Sequence, residues 1–194
     1  MAAVLPHRWT IAEYRQLDKT GLFTDRKTML LNGEIFASSM PSPMHSTAAA
    51  KVGNHLRGLF PTNPHVRVEK ALDIGTENDP GPDLAVASGT RDDYMTRHPS
   101  TAVLVVEVAV SSLESDLHLK AELYAAAKVP EYWVLDVDGR ELHVLRAPVT
   151  QPAGREVNAY RPHETIAATG TVAPLAAPNA TIKIEALLPM VKSQ

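Results

Sequence analysis

Apolar and polar positions along the chain mark out a series of short elements. WTIAEYRQL predicts a helix, with Thr10 and Glu13 at the spacing of a capping box. TMLLNGEIFA predicts a hairpin, because Asn32-Gly33 supplies the two positive-φ residues of a type I′ turn between apolar arms. In that turn Leu31 opposes Glu34, so Met29, Leu31, Glu34 and Phe36 share one face. SPMHSTAAAKVGNHLRGLF carries Ala49, Val52, Leu56 and Leu59 at helical spacing. HVRVEKALDI predicts a strand ending at the loop GTENDPGP, and PDLAVAS a short strand entered from Pro82. TAVLVVEVAV is apolar on both parities, the mark of a central strand with both faces covered. SSLESDLHLKAELYAAAK predicts a helix, with Ser111 and Glu114 at capping-box spacing and an apolar stripe of Leu119, Leu123 and Ala126 or Ala127. EYWVLDV and ELHVLRA, joined at Asp138-Gly139, predict a second hairpin. The polar, Pro-rich stretch from Pro148 to Gly170 predicts a loop or a protruding hairpin, and ATIKIEALL a weak last strand. The order α-β-β-α-β-β-β-α-β-β predicts an α/β protein with a central mixed sheet flanked by helices.

Composition narrows this picture. A chain of 194 residues is expected to form one domain spanning 1–194, and 44% hydrophobic with 21% charged residues is the balance of a soluble globular protein. No apolar run approaches the roughly 20 residues needed to span a bilayer. The start MAAVLPHRWT lacks the basic and apolar regions of a signal peptide, so a cytoplasmic location is expected. With no cysteine, disulfides, zinc-cysteine clusters and thiol nucleophiles are excluded. A net charge of −3 argues against a broad electropositive coat, so any nucleic acid would be met by a local basic patch or through bridging metal ions. There is no Walker A loop, no G-x-G-x-x-G and no G-x-S-x-G, and Ser111 and Ser112 are better helix caps than nucleophiles.

Candidate chemistry begins at Glu107, in the middle of VLVVEVAV. A lone buried carboxylate costs several kcal/mol, so it is normally paired, protonated or bound to a metal. Asp83 begins the preceding strand, and adjacent strands can bring both carboxylates to one end of the sheet. Two such groups repel unless something positive lies between them, and Mg²⁺ or Mn²⁺ fits this need. Lys120 falls four residues after Asp116 and four before Tyr124, so the three share one helix face. If that face meets the carboxylates, the ammonium can orient a water and offset anionic charge. The competing readings need no metal: Glu107 salt-bridged to Lys120, or Asp83 capping a loop, or a structural oligomerisation domain in which Asp83, Glu107 and Lys120 form an internal salt-bridge network. His45 and His55 lie ten apart on one predicted helix and are not an i, i+4 metal pair. His118 and Glu122 are expected on a solvated surface, and Tyr132 and Trp133 in the core.

The run GPDLAVA followed by VVEVAVSSLESDLHLKAELYAAAKVPEYWVLDV resembles the Uma2 family of restriction-endonuclease-like proteins, within the PD-(D/E)XK nuclease superfamily. The matching positions are Pro82, Asp83, Glu107, Val108, Ser112, Leu113, Asp116, Lys120, Tyr124, Pro130, Glu131, Tyr132 and Trp133. Upstream, Gly33, Glu34 and His45 match the family's Gly-Glu hairpin and its later histidine, and the likeness runs from about Trp9 to Pro189. The resemblance implies a restriction-endonuclease-like sheet and metal-dependent hydrolysis of DNA. It implies Asp83, Glu107 and the backbone carbonyl of Val108 as ligands of Mg²⁺ or Mn²⁺, and catalytic roles for Lys120 and Glu34. It gives His45, Asp116 and Tyr124 contacts to substrate or support behind the ligands. A homodimer is expected too, since restriction-type enzymes need two sites to cut two strands. Two positions depart from the pattern. The superfamily's usual lysine, two residues after the glutamate, is Ala109 here, so Lys120 would supply the amine from the helix. A glutamate common on the first hairpin arm is Met29, leaving Glu34 on the same face to replace it. These departures favour the alternative of a nuclease-fold module that binds DNA or a protein partner without cutting.

Overall fold

Helix α1 (Ile11–Lys19) starts where the capping box predicts, with the Thr10 hydroxyl accepting from the Glu13 amide and the Glu13 carboxylate accepting from the Thr10 amide at 2.9 Å. The computed structural model describes residues 4–38, 40–149 and 159–190. Strands β1 (Lys27–Leu31) and β2 (Glu34–Ser38) form the predicted hairpin, with Leu31 opposite Glu34 and Met29 opposite Phe36. Asn32 and Gly33 both take positive φ, 50° and 71°. Glycine is required at the second position for another reason as well, since a Cβ there would fall 2.8 Å from Arg8 Cβ. Helix α2 (Pro43–Leu59) is capped by the Ser42 hydroxyl and carries Pro43 at its start, where a missing N–H costs nothing.

Six strands then build one sheet in the order β3-β4-β5-β6-β7-β8. These are β3 (His65–Val68), β4 (Leu84–Ala87), β5 (Leu104–Ala109), β6 (Glu131–Asp136), β7 (Glu141–Arg146) and β8 (His163–Ala167). Every neighbouring pair is antiparallel except β5 with β6, so the sheet is mixed, as predicted. The parallel pair is joined across one face by a helical segment of three parts: α3 (Leu113–Ser115), a π-turn (Asp116–Lys120) and α4 (Ala121–Ala126). That face packs Ala85, Val105, Ala109, Tyr132 and Val134 against Ala121, Leu123 and Tyr124. The opposite face packs Val86, Val106, Val108 and Trp133 against Val52 and Leu56 of α2 and against α5 (Ile184–Leu187). All six residues of β5 are buried, which accounts for its apolar residues on both parities. Among the described residues no helix is long and apolar enough to cross a membrane.

Several elements differ from expectation. The strand predicted over HVRVEKALDI has only four residues, because Glu69 takes φ 48° and turns the chain out of the ladder. The helix after β5 is capped at Ser112 without a side-chain hydrogen bond, so Ser111 and Glu114 form no capping box. Of its predicted stripe Leu123 is buried, Leu119 and Ala127 pack half-buried against the core, and Ala126 is exposed; Asp116, Ala121, Tyr124 and Ala125 are buried as well. The stretch from Pro148 to Gly170 contributes β8 to the edge of the main sheet, and its residues 150–158 lie outside the described ones. The last strand is reduced to β10 (Ile182–Lys183), paired with β9 (Thr171–Val172) and running directly into α5.

Candidate active site

The antiparallel register of β4 and β5 pairs Leu84 with Val106, so one step further Asp83 stands beside Glu107. The backbone itself ties them: the Val108 amide donates to Asp83 Oδ2 at 2.9 Å, and the Asp83 amide approaches Glu107 Oε2 at 3.4 Å. Both residues are buried, with 6% and 2% of their surface exposed. Glu107 points to the sheet face covered by the π-turn and α4, and there it meets its partners. The Tyr124 hydroxyl donates to Glu107 Oε1 at 2.7 Å. Lys120 Nζ lies 3.1 Å from Glu107 Oε2 and 2.8 Å from Asp116 Oδ1. Asp116 is fixed in turn by the Ser112 hydroxyl on Oδ2 at 2.6 Å, while the Tyr132 hydroxyl donates to its carbonyl at 2.9 Å. Single π-turns inside helices are frequent at functional sites, and this one carries both Asp116 and Lys120.

Asp83 is approached from the other side. His45, on the first turn of α2, places Nε2 3.0 Å from Asp83 Oδ2, and Lys27 on β1 places Nζ 3.7 Å from Oδ1. Three carboxylates and three basic side chains therefore interleave.

Their protonation follows from that packing. Burial pushes the Glu107 carboxyl up, to about 7, with Asp83 and Asp116 adding repulsion and Lys120 and Tyr124 only partly offsetting it. Burial works the same way on Asp83, but the hydrogen bond and charge of His45, the Val108 amide and Lys27 outweigh it and hold this carboxyl below its ordinary value. The bond to Asp83 raises His45 despite burial. Burial works against the Lys120 ammonium, yet Glu107 and Asp116 overcome it and keep its pKa above the ordinary value. Lys120 is thus a fixed positive charge, not a base.

The cluster forms the floor of a cavity of about 380 Å³, lined by Lys27, Met29, His45, Asp83, Glu107, Val108 and Lys120 among others. Asp116 and Tyr124 stand behind this floor, holding Lys120 and Glu107. Glu34 is not brought to it. It shares the face of Met29 and Phe36 as expected, but it sits at the turn end of the hairpin, 63% exposed and 3.6 Å from Arg8 Nη1. Lys27 went unrecognised in the sequence, although it alternates with Met29 and Leu31 on the same arm. His118 and Glu122 are exposed, and Tyr132 and Trp133 are fully buried, as expected. His55 bonds only back to the Lys51 carbonyl among the contacts described.

The profile of the Uma2 family, described as "Putative restriction endonuclease", matches residues 11–182. The chain belongs to the Uma2 family. The Uma2 match includes every residue of the buried cluster, from Lys27 to Tyr124. A crystal structure of a putative nuclease belonging to DUF820 from Anabaena variabilis has a similar fold, with a TM-score of 0.65 and 15% identity over 92% of this chain and 96% of that one. A search of curated proteins finds no match.

The donor set of this Uma2 protein fits a hard divalent cation. Asp83 and Glu107 offer carboxylate oxygens from adjacent backbone positions on the cavity floor, and Mg²⁺ or Mn²⁺ takes one or two carboxylates with waters and carbonyls completing the shell. The depressed pKa of Asp83 keeps one of the two anionic across the physiological range.

Proposed function

We propose that this protein hydrolyses DNA phosphodiester bonds with Mg²⁺ or Mn²⁺ held by Asp83, Glu107 and the Val108 carbonyl. The observation that carries the reading is the meeting of two buried carboxylates and a half-buried, charged lysine on the floor of one open cavity. When bound, the cation supplies positive charge against the scissile phosphate and acidifies a water. The chain's own residues do the rest. Lys120, with its ammonium held by Glu107 and Asp116, presents a fixed charge to the anionic phosphate and orients the attacking water. Tyr124 holds Glu107 by a charge-assisted bond, and Ser112 holds Asp116. His45 and Lys27 brace Asp83 and give the cavity the local basic character that the net charge of −3 does not supply.

Plasmid DNA incubated with the pure protein in Mg²⁺ or Mn²⁺ should be nicked or cut, and the Asp83→Asn variant should leave it intact. Equal cleavage by both proteins would refute the site. Double-strand cuts would need two copies, so a homodimer is part of this reading, tested by light scattering. Met29, which lines the cavity where the family often has glutamate, favours a second reading in which the site binds DNA without cutting. Tight Mn²⁺ and DNA binding with no cleavage in either metal would decide for it.

A further inference from the structure

A second group of potential metal ligands lies at the β6–β7 hairpin, apart from the cavity. Asp136 ends β6 and pairs with Glu141, the first residue of β7; His143, two positions on, pairs with Val134 on one side and Thr165 of β8 on the other. Because β5 pairs Glu107 with Val134, the row Glu107, Val134, His143, Thr165 runs across one face of the sheet. A carboxylate oxygen from each of Asp136 and Glu141 and a ring nitrogen of His143 all lie within 4.8 Å of one another.

Acidic side chains gather at hairpin ends for many reasons, but the histidine is different. His143 is 8% exposed, and its Nδ1 is occupied by Thr165 Oγ1 and His163 Nε2, each at 3.1 Å. Its Nε2 is buried without a hydrogen-bond partner among the described residues, 3.4 Å from Glu141 Oε1. When Nδ1 donates its proton to either neighbour, Nε2 presents a bare lone pair to a carboxylate, an arrangement that calls for a cation between them. Metal-bound histidines characteristically have the other ring nitrogen held in this way. At Asp136 the Gly139 amide takes Oδ1 at 2.9 Å, and the missing side chain of Gly139 leaves Oδ2 clear, since a Cβ there would collide with it.

We propose that Asp136, Glu141 and His143 form a second cation site, suited to a borderline transition ion of the Zn²⁺ type. Imidazole with two carboxylates is the donor set of Zn²⁺, Co²⁺ or Ni²⁺, whereas the all-oxygen pair at Asp83 and Glu107 suits Mg²⁺ or Mn²⁺. The three ligand atoms stand wider than a bound ion needs at metal–ligand distances of about 2.0–2.2 Å, and carboxylate torsions close that gap. The two sites are two strand spacings apart, roughly 10 Å, too far to share one scissile phosphate in a two-metal mechanism. The ion's part is to clip the hairpin and, through Thr165 and His163, the exposed edge strand β8.

Calorimetric titration of the metal-stripped full-length protein with ZnCl₂ tests this, beside His143→Gln, Glu141→Gln and Asp83→Asn. Wild type should bind a Zn²⁺ that raises its melting temperature, and this binding should persist with equal affinity in Asp83→Asn, whatever the cavity's own carboxylates take up in wild type. Each of the other two variants should lose roughly tenfold or more in affinity. Glu141 is a third exposed, so its variant decides the matter even where His143→Gln fails to fold. No binding by wild type, equal binding by Glu141→Gln, or loss of binding in Asp83→Asn would each overturn the proposal. Cleavage activity enters none of these outcomes, so the test stands apart from the proposed nuclease chemistry.

Discussion

Replacing Lys120 with methionine removes an ammonium while keeping most of the apolar stem, and the structure fixes what this must do. Nζ is the cation shared by Glu107 and Asp116, whose side chains are 2% and 1% exposed. Removing one member of a buried pair costs about 3–5 kcal/mol, because the remaining charge stays buried. For a chain of this size each kcal/mol lowers the melting temperature by about 2–4 °C, giving a fall of roughly 6–20 °C at about pH 8 without metal. The penalty must depend on pH. The Glu107 carboxyl has a folded pKa of about 7, above its ordinary value of 4.5, so the folded state holds this proton more tightly than the unfolded chain. Stability from that proton is complete below the ordinary value and lost as the pH rises through the folded one. Lys120 is one of the groups pulling the Glu107 value down, so its removal raises the value further. Near pH 5.5 the variant therefore carries a neutral Glu107 and only Asp116 is left uncompensated, and the melting deficit should shrink. Cleavage should drop by roughly a hundredfold or more, the loss of one positioned electrostatic group. Melting curves at both pH values and a plasmid cleavage rate check this. A melting temperature within about 2 °C of wild type at both pH values would refute the shared-cation reasoning.

Tyr124→Phe deletes only the hydroxyl on Glu107 Oε1, a bond to a charged group worth about 1.5–3 kcal/mol; denaturant unfolding at about pH 8 should show that loss, and an unchanged midpoint would count against it. Glu107→Gln should remove Mn²⁺ binding, and in metal-free protein it should abolish the part of the pH-dependent stability change that wild type shows between 4.5 and about 7; a retained slope in that window would show that another group causes it. Glu34→Gln should leave stability within about 0.5 kcal/mol and cleavage unaltered, since the structure gives Glu34 to Arg8 at the hairpin turn; a loss of Mn²⁺ affinity would restore it to the site.

The pairing of Asp83 with Glu107 was legible because it needs only strand order and register. A strand apolar on both parities had to be central, and a Pro-Asp start on its antiparallel neighbour falls beside its far end. The link from Glu107 to Lys120 and Tyr124 followed from helical spacing, although the π-turn that carries Lys120 leaves no mark in the residue pattern. Contacts made between distant segments were harder to read. His45 reaches Asp83 across 38 positions, and Lys27 does so from a separate two-stranded sheet, so no local periodicity announces either. For Glu34 the parity was right and the reach was wrong, since the face of a strand does not say how far along it the site lies. HETIA, within the stretch that predicts a loop or a protruding hairpin, carries no strand signal of its own, because an edge strand exposed on nearly every position lacks alternation.

The charge balance of the site leads to one more expectation. Asp83, Glu107 and Asp116 carry three negative charges when ionised, and Lys27, Lys120 and a protonated His45 carry three positive ones, so the cluster approaches neutrality with no ion added. A dication entering beside Asp83 and Glu107 must then drive positive charge out, and protons are the cheapest charge to lose. Glu107, at about 7, and His45, raised by its bond to Asp83, are the groups poised to give them up. Mn²⁺ binding should therefore release protons, with more released near pH 6 than near pH 8. It should also tighten as the pH rises until both groups are deprotonated. Calorimetry in buffers of different ionisation enthalpy counts those protons directly. His45→Gln should reduce the count and keep the Glu107 share. Heats that are the same in every buffer at about pH 6 would mean that the ion does not meet these carboxylates, and the metal-dependent reading of the cavity would fall with them.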